Sequence, residues 1–113
     1  MIKIVEGLTM KEALEQLIKN IEKSDYYNGH EDLETYWHTI RKTDEPLKNL
    51  IKGFINGVTA YELVRRKRMD AAHRVWKAHV KWRGRLMVEG IENYELFVEA
   101  DALLVQLHHE QLS

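Results

Sequence analysis

Hydrophobic positions recur along this chain every three or four residues, and no run of β-branched residues alternates with polar ones as a half-buried strand requires. Thr9-Met10-Lys11-Glu12 fits a capping box, in which the threonine hydroxyl and the Glu12 carboxylate satisfy free backbone amides reciprocally. Met10, Ala13, Leu14, Leu17, Ile18 and Ile21 follow on one face, which predicts a first helix over about 9–23. Residues 1–8 fit an extended or a helical conformation equally, and the pattern does not choose. Ser24 or Asp25 offers a cap for a second helix reaching about Lys42, with a core-facing stripe of Tyr26, His30, Leu33, Glu34, Trp37 and Ile40.

Asp44-Glu45-Pro46 opens a third helix, because proline is tolerated in the first turn and acids suit the positive end of the dipole. It runs to about Arg66 and is apolar around most of its circumference, through Leu47, Leu50, Ile51, Phe54, Ile55, Val58, Tyr61, Leu63 and Val64. Such a helix belongs at the centre of a bundle. Gly53 and Gly57 share one side of it and permit a close helix crossing; with no strand before them, they make a poor phosphate loop. A short basic turn leads to a fourth helix over about 69–83, with Ala72, Trp76 and Val80 inward. Asn93 offers a cap for a fifth, through His109, carrying Tyr94, Phe97, Ala100, Leu103, Leu104 and Leu107. The fold class predicted is all-α: a bundle of four to five helices forming a single domain over 1–113.

Composition narrows the chemistry. The 113 residues contain no cysteine, which excludes disulfides, thiolate-bound zinc, iron–sulfur clusters and cysteine nucleophiles. The longest uncharged run, Gly53 to Tyr61, is far too short for a membrane span, and no basic region precedes an apolar one as in a secretion signal. A cytoplasmic location with no membrane partner is therefore the expectation. Ser24 and Ser113, the only serines, sit in no nucleophile motif, and no glycine-rich phosphate loop is present. No catalytic residue is assigned, and whether the chain is an enzyme stays open.

One feature of the second helix stands out. His30 and Glu34 are one turn apart and share a face, and a histidine and a carboxylate aimed at a core must be hydrogen-bonded, paired or bound to a metal. Glu31, about 100° further round, falls nearer the surface. The run Asp25-Tyr26-Tyr27-Asn28-Gly29-His30-Glu31-Asp32-Leu33-Glu34-Thr35-Tyr36-Trp37 resembles the signature of the prokaryotic domain-of-unknown-function family 309, with the pattern H-x-x-x-E-x-x-[WY] met by His30, Glu34 and Trp37. Leu50-Ile51-Lys52-Gly53-Phe54-Ile55-Asn56, Met69-Asp70-Ala71-Ala72 and Gly90-Ile91-Glu92 extend the likeness, which covers about residues 24–105. Asn56 stands where the family usually has glutamine, and no histidine stands near Glu62 and Leu63, where relatives often carry one.

The resemblance implies a small helical protein of unknown function whose histidine–glutamate motif has been suggested as a metal site, here His30 and Glu34. Glu31 and Trp37 would support the motif. Glu62 on the third helix and His73 on the fourth are candidate further ligands, and a His/Glu/Glu/His set suits zinc, iron or manganese. Against this stands a purely structural role, in which His30 and Glu34 bond to each other or to Tyr61 and fix helix register.

The charge distribution offers a second function. Nine basic residues and one acid lie between Arg65 and Arg85, leaving eight basic and seventeen acidic elsewhere, so a segment of about +8 faces a remainder of about −9. Arg65, Arg66, Arg68, Arg74, Lys77, Lys81 and Arg85, with Trp76 and Trp82 interleaved, suit an anionic partner, either nucleic acid or an acidic protein. A pI near 6.6 counts against a dedicated nucleic-acid binder, and pairing with Glu92, Glu95 and Glu99 would neutralise the face. His38 and His79 have no evident partner and are expected exposed or half-buried; His108, His109 and Glu110 end the last helix as a fraying terminus. A homo-oligomer, in which an apolar helix face completes a partner's core, is a third reading.

Overall fold

Threonine at position 9 does what its spacing to Glu12 predicts. Its hydroxyl accepts from the Glu12 amide at 3.1 Å, the Glu12 carboxylate accepts from the Thr9 amide at 3.0 Å, and helix α1 follows over Met10–Glu22. The computed structural model describes residues 8–113, so the conformation left open for the first residues lies outside it, apart from Leu8. Ser24 turns the chain with φ +59°, and Asp25 caps α2 (Tyr26–Ile40) by accepting from the Asn28 amide at 3.1 Å. Helix α3 (Lys48–Arg65) starts two residues after the proline, where the Glu45 carboxylate accepts from the Leu47 amide at 3.0 Å. Lys67, at φ +62°, turns the chain into α4 (Met69–Leu86). Helix α5 spans Tyr94–Gln111. Asn93 does precede it, yet in a left-handed conformation (φ +62°) that makes no side-chain cap bond, so the expected cap is not formed.

The architecture is all-α, five helices with no strand among the described residues. As its apolar circumference predicts, α3 is central: it packs against α2, α4 and α5, while α1 packs against α2 and α5. Gly53 and Gly57 open the α3–α4 crossing. A Cβ at Gly53 would lie 2.9 Å from the Cβ of Trp82, and one at Gly57 would lie 2.9 Å from the His79 ring and 3.0 Å from Leu104. No helix among the described residues is long and apolar enough to cross a membrane.

Two stripes are rotated from their expected phase. On α2 the buried residues are Tyr26, Gly29, Leu33 and Tyr36, which moves His30, Glu34 and Trp37 off the core face to its edge. Gly29 lies on the buried face in close contact with both neighbouring helices, where a Cβ would meet Val58 at 3.0 Å and Asn20 at 3.6 Å. On α4 the inward set is Ala72, Trp76 and His79, whereas Val80, expected inward, is 43% exposed.

Candidate functional site

The α2 edge brings three donors together. His30 Nδ1 lies 3.1 Å from Glu31 Oε2, and His30 Nε2 lies 3.3 Å from Glu34 Oε1. Suitable ligand atoms of His30, Glu31 and Glu34 all fall within 4.8 Å of one another, and no other such group occurs among the described residues. The side chains of His30 and Glu34 are 27% and 29% exposed, and that of Glu31 is 47% exposed, so the cluster opens to water and is not sunk in the core. Glu31, placed by helical angle away from the pair, reaches back because its flexible side chain spans the gap to the ring.

Helix α3 supplies the opposite wall. Lys52 Nζ lies 3.7 Å from Glu34 Oε2 and 4.5 Å from the centre of the Trp37 ring, a cation–π contact. The Trp37 indole N–H donates to the Lys48 carbonyl at 3.2 Å. All three motif positions, His30, Glu34 and Trp37, therefore meet along one α2–α3 seam.

The other proposed ligands do not join them. The Glu62 carboxylate accepts from Arg66 at 3.0 Å and approaches Arg65 at 4.0 Å, while His73 is exposed on α4. Tyr61, the proposed structural partner, is fully buried and donates to the Leu104 carbonyl at 2.8 Å. Burial pushes its phenol well above the ordinary tyrosine range, with Tyr26 and Asp101 adding to the effect, so the hydroxyl stays a donor.

A second polar cluster escapes the sequence reading. His79, expected to be exposed or half-buried, is wholly buried between Phe54 and Trp76, with ring centroids at 4.7 and 4.9 Å. Its Nδ1 faces the Gly53 carbonyl at 3.2 Å and its Nε2 faces Asp101 Oδ1 at 3.0 Å. Arg83 grips the same carboxylate with both arms, its Nε donating at 2.6 Å. Burial alone would raise the Asp101 carboxyl, but hydrogen bonds from His79 and Arg83 outweigh it and hold the group below the ordinary carboxylate range. The available signal was Asp101 itself, four residues after Phe97 and three before Leu104 on an apolar stripe. With every member engaged, the cluster reads as a structural lock tying α4 and α5 to α3.

Of the basic segment, Arg83 is taken up by Asp101, and Arg65 and Arg66 by Glu62. Arg68, Arg74, Lys77, Lys81 and Arg85 are exposed and form no ion pair, so the neutralisation expected from Glu92, Glu95 and Glu99 does not occur among the described residues.

Comparison with known proteins supports the family resemblance. No match was found among curated proteins or among solved structures. The family model described as "Domain of unknown function (DUF309)" matches residues 14–75, from within α1 to the first half of α4. That span begins earlier and ends earlier than the likeness read from the sequence, and it contains His30, Glu34 and Trp37 together with the Lys52 wall. With more than half of its length matched, the chain belongs to the DUF309 family.

Proposed function

We propose that this protein is a small cation-binding module whose site is the seam carrying His30, Glu34 and Glu31. The observation that supports the reading is the convergence of one imidazole and two carboxylates within 4.8 Å on a water-accessible edge. Bonds to a first-row divalent ion are about 2.1 Å long, so its donors sit roughly 3–4 Å apart, and rotation of the exposed Glu31 side chain closes the remaining distance. One nitrogen and two oxygen donors suit zinc, manganese or iron better than calcium, which prefers oxygen alone. When bound, such an ion supplies positive charge and open coordination positions for a small anionic ligand. Around it, His30 and Glu34 hold the donors one helical turn apart, while Lys52, held by Trp37, pairs with Glu34 until an ion takes its place.

A clip that merely joins His30 to Glu34 has less support, because an ion pair this exposed adds only about 0.5 kcal/mol to a helix. Calorimetric titration of Zn²⁺ and Mn²⁺ into chelator-treated protein tests the reading. One equivalent is expected to bind, and Glu34→Gln is expected to weaken it at least about tenfold, in line with losing one charged ligand. Binding that survives Glu34→Gln unchanged would remove the seam as the site.

A further inference from the structure

The outer face of α4 is unspent charge. Arg74, Lys77, Lys81 and Arg85 recur at intervals of three or four residues along about 16 Å of helix, all exposed and without an ion pair among the described residues. Lys67 and Arg68 extend the strip into the preceding turn, also exposed, and Asp70 is the one acid in the sequence between Arg65 and Arg85. Half-buried Trp82 borders the strip, with Lys81 Nζ 5.1 Å and the Arg85 guanidinium 5.8 Å from its ring centre.

We propose that this face binds single-stranded nucleic acid through its phosphate backbone, without regard to sequence. Charge complementarity is the first reason: like charges concentrated on one helix favour a polyanion. The second is that cations around an aromatic ring form the platform on which unstacked bases rest. The absence of sequence preference follows from the kind of contact, since phosphate charges and the π-faces of bases are common to every nucleotide. An anionic membrane fits less well. A membrane-surface helix needs a free apolar face, and that of α4, through Ala72 and Trp76, is already buried against the core.

The test is fluorescence anisotropy of a labelled mixed-sequence 20-mer, as single-stranded DNA, single-stranded RNA and duplex DNA, titrated with the full chain at 50 and 200 mM salt. Four phosphate contacts predict about a fifty-fold loss of affinity between those salt concentrations. The variant Lys77→Gln/Lys81→Gln, whose side chains are exposed, is expected to stay helical by circular dichroism and to lose about half of the salt slope. Trp82 is left in place because it packs at Gly53. The proposal is overturned by no binding at 50 mM salt, by a slope unchanged in the variant, or by tighter binding to duplex than to single strands. Capture on phosphatidylserine vesicles without oligonucleotide binding would overturn it in favour of a lipid surface. A dimer by light scattering that the variant dissolves would assign the face to a second copy.

Discussion

Two glycines of the same type carry opposite weight. At Gly57 a methyl group would meet the His79 ring at 2.9 Å and Leu104 at 3.0 Å, both fully buried, so neither neighbour can retreat. Gly57→Ala is expected to lower stability by about 1–3 kcal/mol, the usual cost of overpacking. Gly84 has nothing within 4 Å of the same position, and Gly84→Ala is expected to raise stability by about 0.5–1 kcal/mol through helix propensity. Urea midpoints of the two variants check both signs. At Asp101, removing the charge leaves the partly exposed Arg83 guanidinium without its counter-ion and weakens the bond to the buried His79 ring. Asp101→Asn should therefore cost about 1.5–3 kcal/mol, the scale of a hydrogen bond to a charged group. Because the folded state holds this carboxyl below its unfolded pKa, its stabilisation is present in full above about pH 4 and disappears as pH falls through the lowered value. Unfolding free energy measured between pH 5 and pH 2 should fall more steeply in the wild type than in Asp101→Asn. Equal slopes would mean that Asp101 is not the titrating group.

At the scale of helices, existence and order were legible while rotational phase was not. The capping box at Thr9 and Glu12 rests on local bonding alone, which is why spacing suffices to identify it; Thr9→Ala should cost about 1 kcal/mol by thermal or urea unfolding. The central place of α3 was equally readable, since its apolar residues run around most of its girth. Phase failed on α2 and α4 for one reason: the residues at the closest approaches are not conspicuously hydrophobic. Gly29 buries backbone against Val58, and His79 is a polar residue satisfied by Gly53 and Asp101. A hydrophobic stripe read along α4 therefore slid one residue to Val80. On α2 it slid to His30 and Glu34, which turned an edge pair into an apparent core pair. Asn93 failed differently, because its left-handed backbone carries the side chain away from the helix amides.

Across the whole molecule, the motif residues lie along the α2–α3 seam, whereas the exposed basic residues Arg74, Lys77, Lys81 and Arg85 lie along α4. His30, Glu34 and Trp37, with Glu31 beside them, were visible as a pattern, but the partner that makes a seam of them, Lys52, depends on how α2 lies against α3 and could not be read from spacing. Lys52 already occupies the cation position beside Glu34, so it competes with an incoming ion. Lys52→Met is expected to tighten divalent-cation binding several-fold while costing less than about 1 kcal/mol in stability, the scale of an exposed pair.

The most direct measurement is metal content and melting temperature taken together, on untagged wild type and His30→Ala equilibrated with Zn²⁺ and then desalted. A cation site predicts close to one equivalent in the wild type and none in the variant, with the metal-free proteins melting within a few degrees of each other because His30 is not a core residue. An equal metal content in both, or no metal in either together with a sharply lower melting temperature for His30→Ala, would contradict it and leave His30 and Glu34 as a structural pair.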